Sequence, residues 1–142
     1  LSTVFNLFIM TMPIDFNTTL AEINEVFHIQ YPFLSLHFFS GEHHAFEYYK
    51  PADELNSATL IGTLKHRSLE ATVIELHFWQ TTAEVEQMLK KKLGIDAQVY
   101  RKHEDGWIQT VGSDGLTLEQ QNELGMQSRK EIINLHDREK PL

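Results

Sequence analysis

The chain has 142 residues, with 12 Lys+Arg against 20 Asp+Glu, so its formal net charge is −8 with histidine neutral. It contains no cysteine, which excludes a disulfide scaffold, thiol catalysis and thiolate metal sites. The acidic balance argues against nucleic acid, whose phosphates call for clustered Lys and Arg.

Val4 to Met12 is apolar but spans only about half a bilayer and lacks a basic flank and a small-residue cleavage site. The expectation is a buried strand in a cytoplasmic protein with no membrane segment. The first residue is Leu1, and Met10 or Met12 is an alternative start. Met12, Ile14 and Phe16 then alternate with polar positions, as in a half-buried strand. Thr19 and Glu22 form a capping box, where hydroxyl and carboxylate satisfy orphan N–H groups at a helix start. Ile23, Val26 and Phe27 share one face of that helix, and Pro32 ends it. Phe33 to Phe39 is an aromatic-rich strand.

Gly41 to Glu70 reads as irregular. His43 to Tyr49 extends a hairpin, Lys50 to Asp53 is a turn, and Leu60 to Leu64 is a short apolar piece. Thr72 to Phe78 is the next strand, followed by a second capping box at Thr81 and Glu84. Val85, Met88 and Leu89 face the core. Lys90, Lys91 and Lys92 complement the helix dipole, and Gly94 closes the helix. Ala97 to Lys102 pairs through the turn His103 to Gly106 with Trp107 to Val111. Gly112 to Gly115 is a loop. A third capping box at Thr117 and Gln120 opens a C-terminal helix of about 117–135, whose stripe (Leu118, Leu124, Ile132, Leu135) is sparse and interrupted by Gly125.

An offset of 62 residues lays Thr19–Phe27 over Thr81–Leu89, and Met12, Ile14 and Phe16 over Ile74, Leu76 and Phe78. The reading is a single α+β domain, 1–142, with pseudo-repeats at 12–40 and 74–102. Two β-α-β units would form a ferredoxin-like antiparallel sheet with both helices on one face, plus the C-terminal helix. Converged binary patterning is the alternative. A real repeat is preferred because strand, cap and core face agree at one offset.

No phosphate loop, dinucleotide fingerprint, nucleophile elbow or HExxH helix is present, and no catalytic residue and no cofactor is assigned. Glu42-His43-His44 is the densest run of potential ligands, but adjacent strand residues point to opposite faces. An ion there would need His37, His66 or His77, and no metal is expected. Leu36-His37-Phe38 and Leu76-His77-Phe78 repeat a tripeptide on strands expected to be neighbours, which would bring the two histidines onto one open face. The candidate ligand or partner-binding residues are His37, His77, Phe39, Trp79, Tyr100 and Trp107, since an open aromatic sheet face serves as a groove or partner surface; the alternative is that long loops and the C-terminal helix cover that face.

Tyr31-Pro32-Phe33-Leu34-Ser35-Leu36, Gln98-Val99-Tyr100-Arg101-Lys102, Trp107-Ile108-Gln109-Thr110 and Leu116-Thr117-Leu118-Glu119-Gln120-Gln121-Asn122 resemble a small uncharacterised bacterial protein family of unknown function. The similarity covers about residues 12–125 and brings no activity, cofactor or catalytic residue. Leu116 stands where that pattern has Trp. The expected function is a non-catalytic protein-interaction or structural module, binding another protein or forming a homo-oligomer. The alternative is a small-ligand or metal-binding enzyme using histidines around the central sheet.

Overall fold

The computed structural model describes residues 3–5, 8–40, 48–64 and 72–139. Among them the order is β1 (Val4–Phe5), β2 (Ile9–Ile14), α1 (Leu20–Gln30), β3 (Leu34–Phe39), α2 (Ile61–Leu64), β4 (Thr72–His77), α3 (Thr82–Leu93), β5 (Asp96–His103), β6 (Gly106–Gln109) and α4 (Leu118–Glu139). Short 3-10 turns lie at Pro51–Asp53 and Val111–Ser113. The architecture is mixed α+β, with four helices and two three-stranded antiparallel sheets among the described residues.

The local chemistry explains most boundaries. In β2, buried Met10, Met12 and Ile14 alternate with half-buried neighbours, the period of two of a strand with one core face. Pro13 lies beyond β1, where β2 has a partner on one side only, so its missing N–H breaks no second ladder. The strand stops at Ile14 rather than Phe16. Asp15 accepts from the Asn17 N–H at 2.8 Å, and the Asp15 N–H donates to the Thr18 hydroxyl at 3.0 Å; this side-chain-bonded turn competes with the ladder and turns Phe16 outward.

The three helix starts expected from the sequence each carry their threonine cap. The Thr19 hydroxyl accepts from the Glu22 N–H at 3.1 Å, and Thr81 accepts from the Glu84 N–H at 3.2 Å. The Glu84 carboxylate differs from the expected box: it accepts from the Thr81 hydroxyl at 3.0 Å, since that hydroxyl keeps a proton to donate. The box at Thr117 and Gln120 is fully reciprocal, with bonds of 2.9 and 3.1 Å. Helix α3 ends at Gly94, whose φ of 74° is the left-handed cap favoured by glycine.

The strands do not join in one ferredoxin-like sheet. One sheet runs β1-β2-β4 and the other β3-β5-β6. Strand β3 pairs with β5 rather than β4 and is buried on both faces. Leu34, Leu36 and Phe38 enter the main core while Ser35 and Phe39 are buried on the opposite side; of the aromatic positions expected on an open face, Phe39 is buried whereas Trp79 and Trp107 are exposed. A single core collects Met10, Met12, Ile14, Ile74 and Leu76 from one sheet and Leu34, Leu36, Phe38 and Val99 from the other. Ile23 and Phe27 of α1 and Val85 and Leu89 of α3 complete it, each such side chain contributing about 1.5–3 kcal/mol.

The β2–β4 and β3–β5 ladders are both symmetric under the 62-residue offset. In β2–β4 the pair Met10↔Leu76 becomes Ile14↔Thr72, and Met12↔Ile74 becomes itself. In β3–β5, Leu34↔Arg101 becomes Phe39↔Asp96, and Leu36↔Val99 becomes His37↔Gln98. The chain returning to each helix start makes the same four bonds. Leu20 and Ala21 donate to Thr59 and Ser57, while Ile61 and Gly62 donate to Thr18 and Phe16. Thr82 and Ala83 donate to Leu116 and Asp114, while Leu118 and Glu119 donate to Gln80 and Phe78. These bonds satisfy the orphan N–H groups that begin a helix.

Candidate functional site

The six residues singled out in the sequence fall in three places. His37 and Phe39 stand on β3 and Tyr100 on β5. The His37 ring lies 4.4 Å from the Tyr100 ring, and Phe39 stacks on Tyr49 at 4.4 Å. Trp107, on β6, has the Lys102 ammonium 5.2 Å from its ring and the His28 ring edge-on at 6.0 Å. His77 and Trp79 close the other sheet, with rings 5.2 Å apart and the Glu75 carboxylate 3.7 Å from the His77 Nε2. The expected shared histidine face is therefore not formed, because β3 pairs with β5 and β4 with β2. Glu42-His43-His44, Phe46, His66 and the hairpin extension at 43–47 lie outside the described residues.

The most polar constellation surrounds His37. Its Nδ1 meets the Glu54 carboxylate, and its Nε2 lies 3.0 Å from the Ser35 hydroxyl. That hydroxyl is 3.3 Å from the Asn24 Oδ1, which also accepts the Leu36 N–H at 2.6 Å. His28 bonds through Nδ1 to the Leu34 carbonyl at 2.7 Å. These contacts place side chains where β3 faces α1, so Asn24 and His28 satisfy backbone groups on that edge. Asn24, Glu25, His28, His37 and Glu54 line a groove of about 740 Å³. Sequence reading found His37 but not Ser35, Asn24 or Glu54. The two-residue spacing of Ser35 and His37 was the one available signal, and Glu54 sits in a segment without periodicity. Among the described residues no three His, Asp or Glu side chains gather closely enough to hold a metal ion.

A second groove of about 420 Å³ occupies the equivalent place in the other half. Ala83, Glu86 and Lys90 stand there where Ala21, Asn24 and His28 line the first. Burial, reinforced by the Asp114 charge, pushes the Glu86 carboxyl up to about 8, against a backbone hydrogen bond at Val99 that favours the carboxylate. Lys90 is engaged by Asp96 at 2.8 Å.

The third region lies at the far end of β4. Phe8 and Trp79 are 55 % and 56 % exposed. The Phe8 ring is 5.2 Å from that of Phe78, whose carbonyl accepts from the Glu119 N–H at 3.1 Å. Beside it, Leu116, Glu119, Gln120, Glu123 and Leu124 line a groove of about 500 Å³. No protein family, no characterised protein and no solved structure matches this chain.

Proposed function

We propose that the chain is a non-catalytic protein-interaction module built from two copies of one β-α-β-return unit. The two-copy reading is supported by the symmetric ladders and the matching four-bond returns. The finer layout departs from a ferredoxin-like sheet in how the units are joined, each strand of one copy pairing antiparallel with its counterpart in the other. The family resemblance, restricted to residues 12–125, is compatible with this unit.

The observation that carries the interaction reading is the aromatic end of the first sheet, where Phe8 and Trp79 are exposed and Phe78 is half-buried against Phe8. Large aromatics left in water cost hydrophobic free energy that a partner recovers. The partner is another protein or a second copy of this chain. The test places a photo-crosslinking benzoylphenylalanine at position 79 in the full chain, with exposed position 22 as control. Protein adducts, or a covalent dimer, at 79 and not at 22 support the reading. Equal or absent adducts at both refute it.

A second reading has one specific observation behind it. Ser35, His37 and Glu54 are connected as nucleophile, base and orienting carboxylate. A hydrolytic enzyme would use His37 to take the Ser35 proton as Oγ attacks an acyl carbonyl, and would return it to the leaving group. Labelling by a fluorophosphonate probe that disappears in Ser35→Ala would favour this reading. An unlabelled wild-type chain would remove it, leaving the triplet as a structural tie on β3.

A further inference from the structure

We infer that the aromatic end and the adjoining α4 groove form a docking surface for a basic amphipathic helix of a partner protein; this rests on the interaction reading and names the partner's chemistry. Internal symmetry separates what the fold requires from what it does not. Phe78 corresponds to Phe16, and both carbonyls accept the same returning N–H, so that aromatic belongs to the shared scaffold. Trp79 corresponds to Asn17, and Glu119 to Gly62, whose missing side chain lets the backbone come within contact of Phe16. The backbone bonds are the same in both halves, so neither Trp79 nor Glu119 is needed to make the unit. Each is a feature that this half alone carries.

Among the described residues, the charged side chains that line the groove are of one sign. Its lining combines Leu116 and Leu124 with Glu119 and Glu123 and, among the described residues, contains no Lys or Arg. Glu119 and Glu123 are one helical turn apart, where like charges repel. On β4, outside the groove lining, exposed Glu75 places a carboxylate 3.7 Å from His77. A lining that mixes leucines with carboxylates complements a segment whose apolar stripe is flanked by Lys or Arg. A volume of about 500 Å³ accommodates a few anchor side chains rather than a folded domain, and helical spacing delivers such anchors on one face. A strongly acidic chain also repels acidic partners at long range.

The experiment titrates the full-length Trp107→Phe chain, in which Trp79 is the remaining tryptophan, with a synthetic Leu/Lys amphipathic helix of about 18 residues, five turns long. Controls are the matching Leu/Glu helix and a scrambled Leu/Lys peptide. A saturable Trp79 fluorescence change with the Leu/Lys helix, at least about tenfold weaker with Glu119→Lys/Glu123→Lys or Leu124→Asp, is expected for loss of a central anchor or charge pair. Circular dichroism of each variant, matching wild type, separates lost binding from lost folding. Equal binding of the Leu/Glu helix or the scrambled peptide, or affinity unchanged in the variants, overturns the inference. If peptide binding fails while position 79 still crosslinks to protein, the partner's chemistry is wrong and the interaction reading stands. If both fail, both fall.

Discussion

At the scale of single residues, the side chains that deviate most from ordinary behaviour are those the fold buries with incomplete compensation. Glu86 is held up to about 8, first by burial and then by the Asp114 charge. In the unfolded chain its carboxyl titrates near the ordinary 4.5. Between those values the folded state binds the extra proton, so raising pH lowers stability. Urea midpoints of wild type should therefore fall, relative to those of Glu86→Gln, as pH rises from about 4.5 to about 8. A wild-type-minus-variant difference that is flat across that window would contradict this. Tyr31 is a related case. Its hydroxyl is buried without a hydrogen-bond partner among the described residues, and burial with the Glu119 charge pushes it up to about 12. Tyr31→Phe removes an unpaired polar atom and should be neutral or stabilising by up to about 1 kcal/mol, read from the urea midpoint. Neither residue was legible in the sequence. Glu86 sits on a helix face that composition marks as solvated, and the Asp114 charge and Val99 hydrogen bond that act on it beside its burial come from other elements.

At the scale of elements, what the sequence made readable were the helix ends. Side-chain-to-backbone capping is local, so Thr19, Thr81 and Thr117 could be found by spacing alone. Thr19→Ala and Thr81→Ala should each cost about 1 kcal/mol, and the double variant about the sum, since the two caps share no partner; unchanged denaturant midpoints would show that the caps carry no stability. Sheet partnership is non-local, and there the pattern was not enough. Alternation in β3 says which residues point the same way, but not that both faces are covered. Gly125 shows the same limit. It reads as a break in the helix stripe, yet α4 runs through it, and a Cβ at that position would lie 2.8 Å from the Phe33 Cβ and 3.0 Å from the Phe33 carbonyl oxygen. The glycine permits α4 to approach β3, where Asn122 accepts the Phe33 N–H at 2.9 Å. Gly125→Ala should thus destabilise by about 1–3 kcal/mol, although alanine is the better helix former by about 1 kcal/mol. Thermal unfolding that is unchanged or raised in this variant would mean that α4 does not pack closely there.

At the scale of the whole molecule, the two halves are distinct in sequence but not in packing. Each half contributes one strand to each central ladder, β2 and β3 from the first, β4 and β5 from the second. Ile23 and Phe27 of α1 share one buried cluster with Val85 and Leu89 of α3. A half that unfolded alone would strip its partner of two strand neighbours and one face of the core, so the halves should unfold together. The chain carries a built-in reporter for this. Both tryptophans, Trp79 and Trp107, lie in the second half, whereas the helical circular dichroism signal comes from both. Ile23, 1 % exposed on α1, belongs to the first half, and Ile23→Ala should remove about 2–5 kcal/mol through lost burial and the cavity left behind. Under a single cooperative transition, tryptophan fluorescence and circular dichroism should move to lower denaturant by the same amount. If the halves were independent, the tryptophan midpoint would stay at its wild-type value while the circular dichroism split into two steps. That result would separate the ladders from the stability they are held to provide. Coincident shifts would establish that the proposed interaction surface at Trp79 rests on a scaffold whose integrity depends on residues more than half the chain away in sequence from α4.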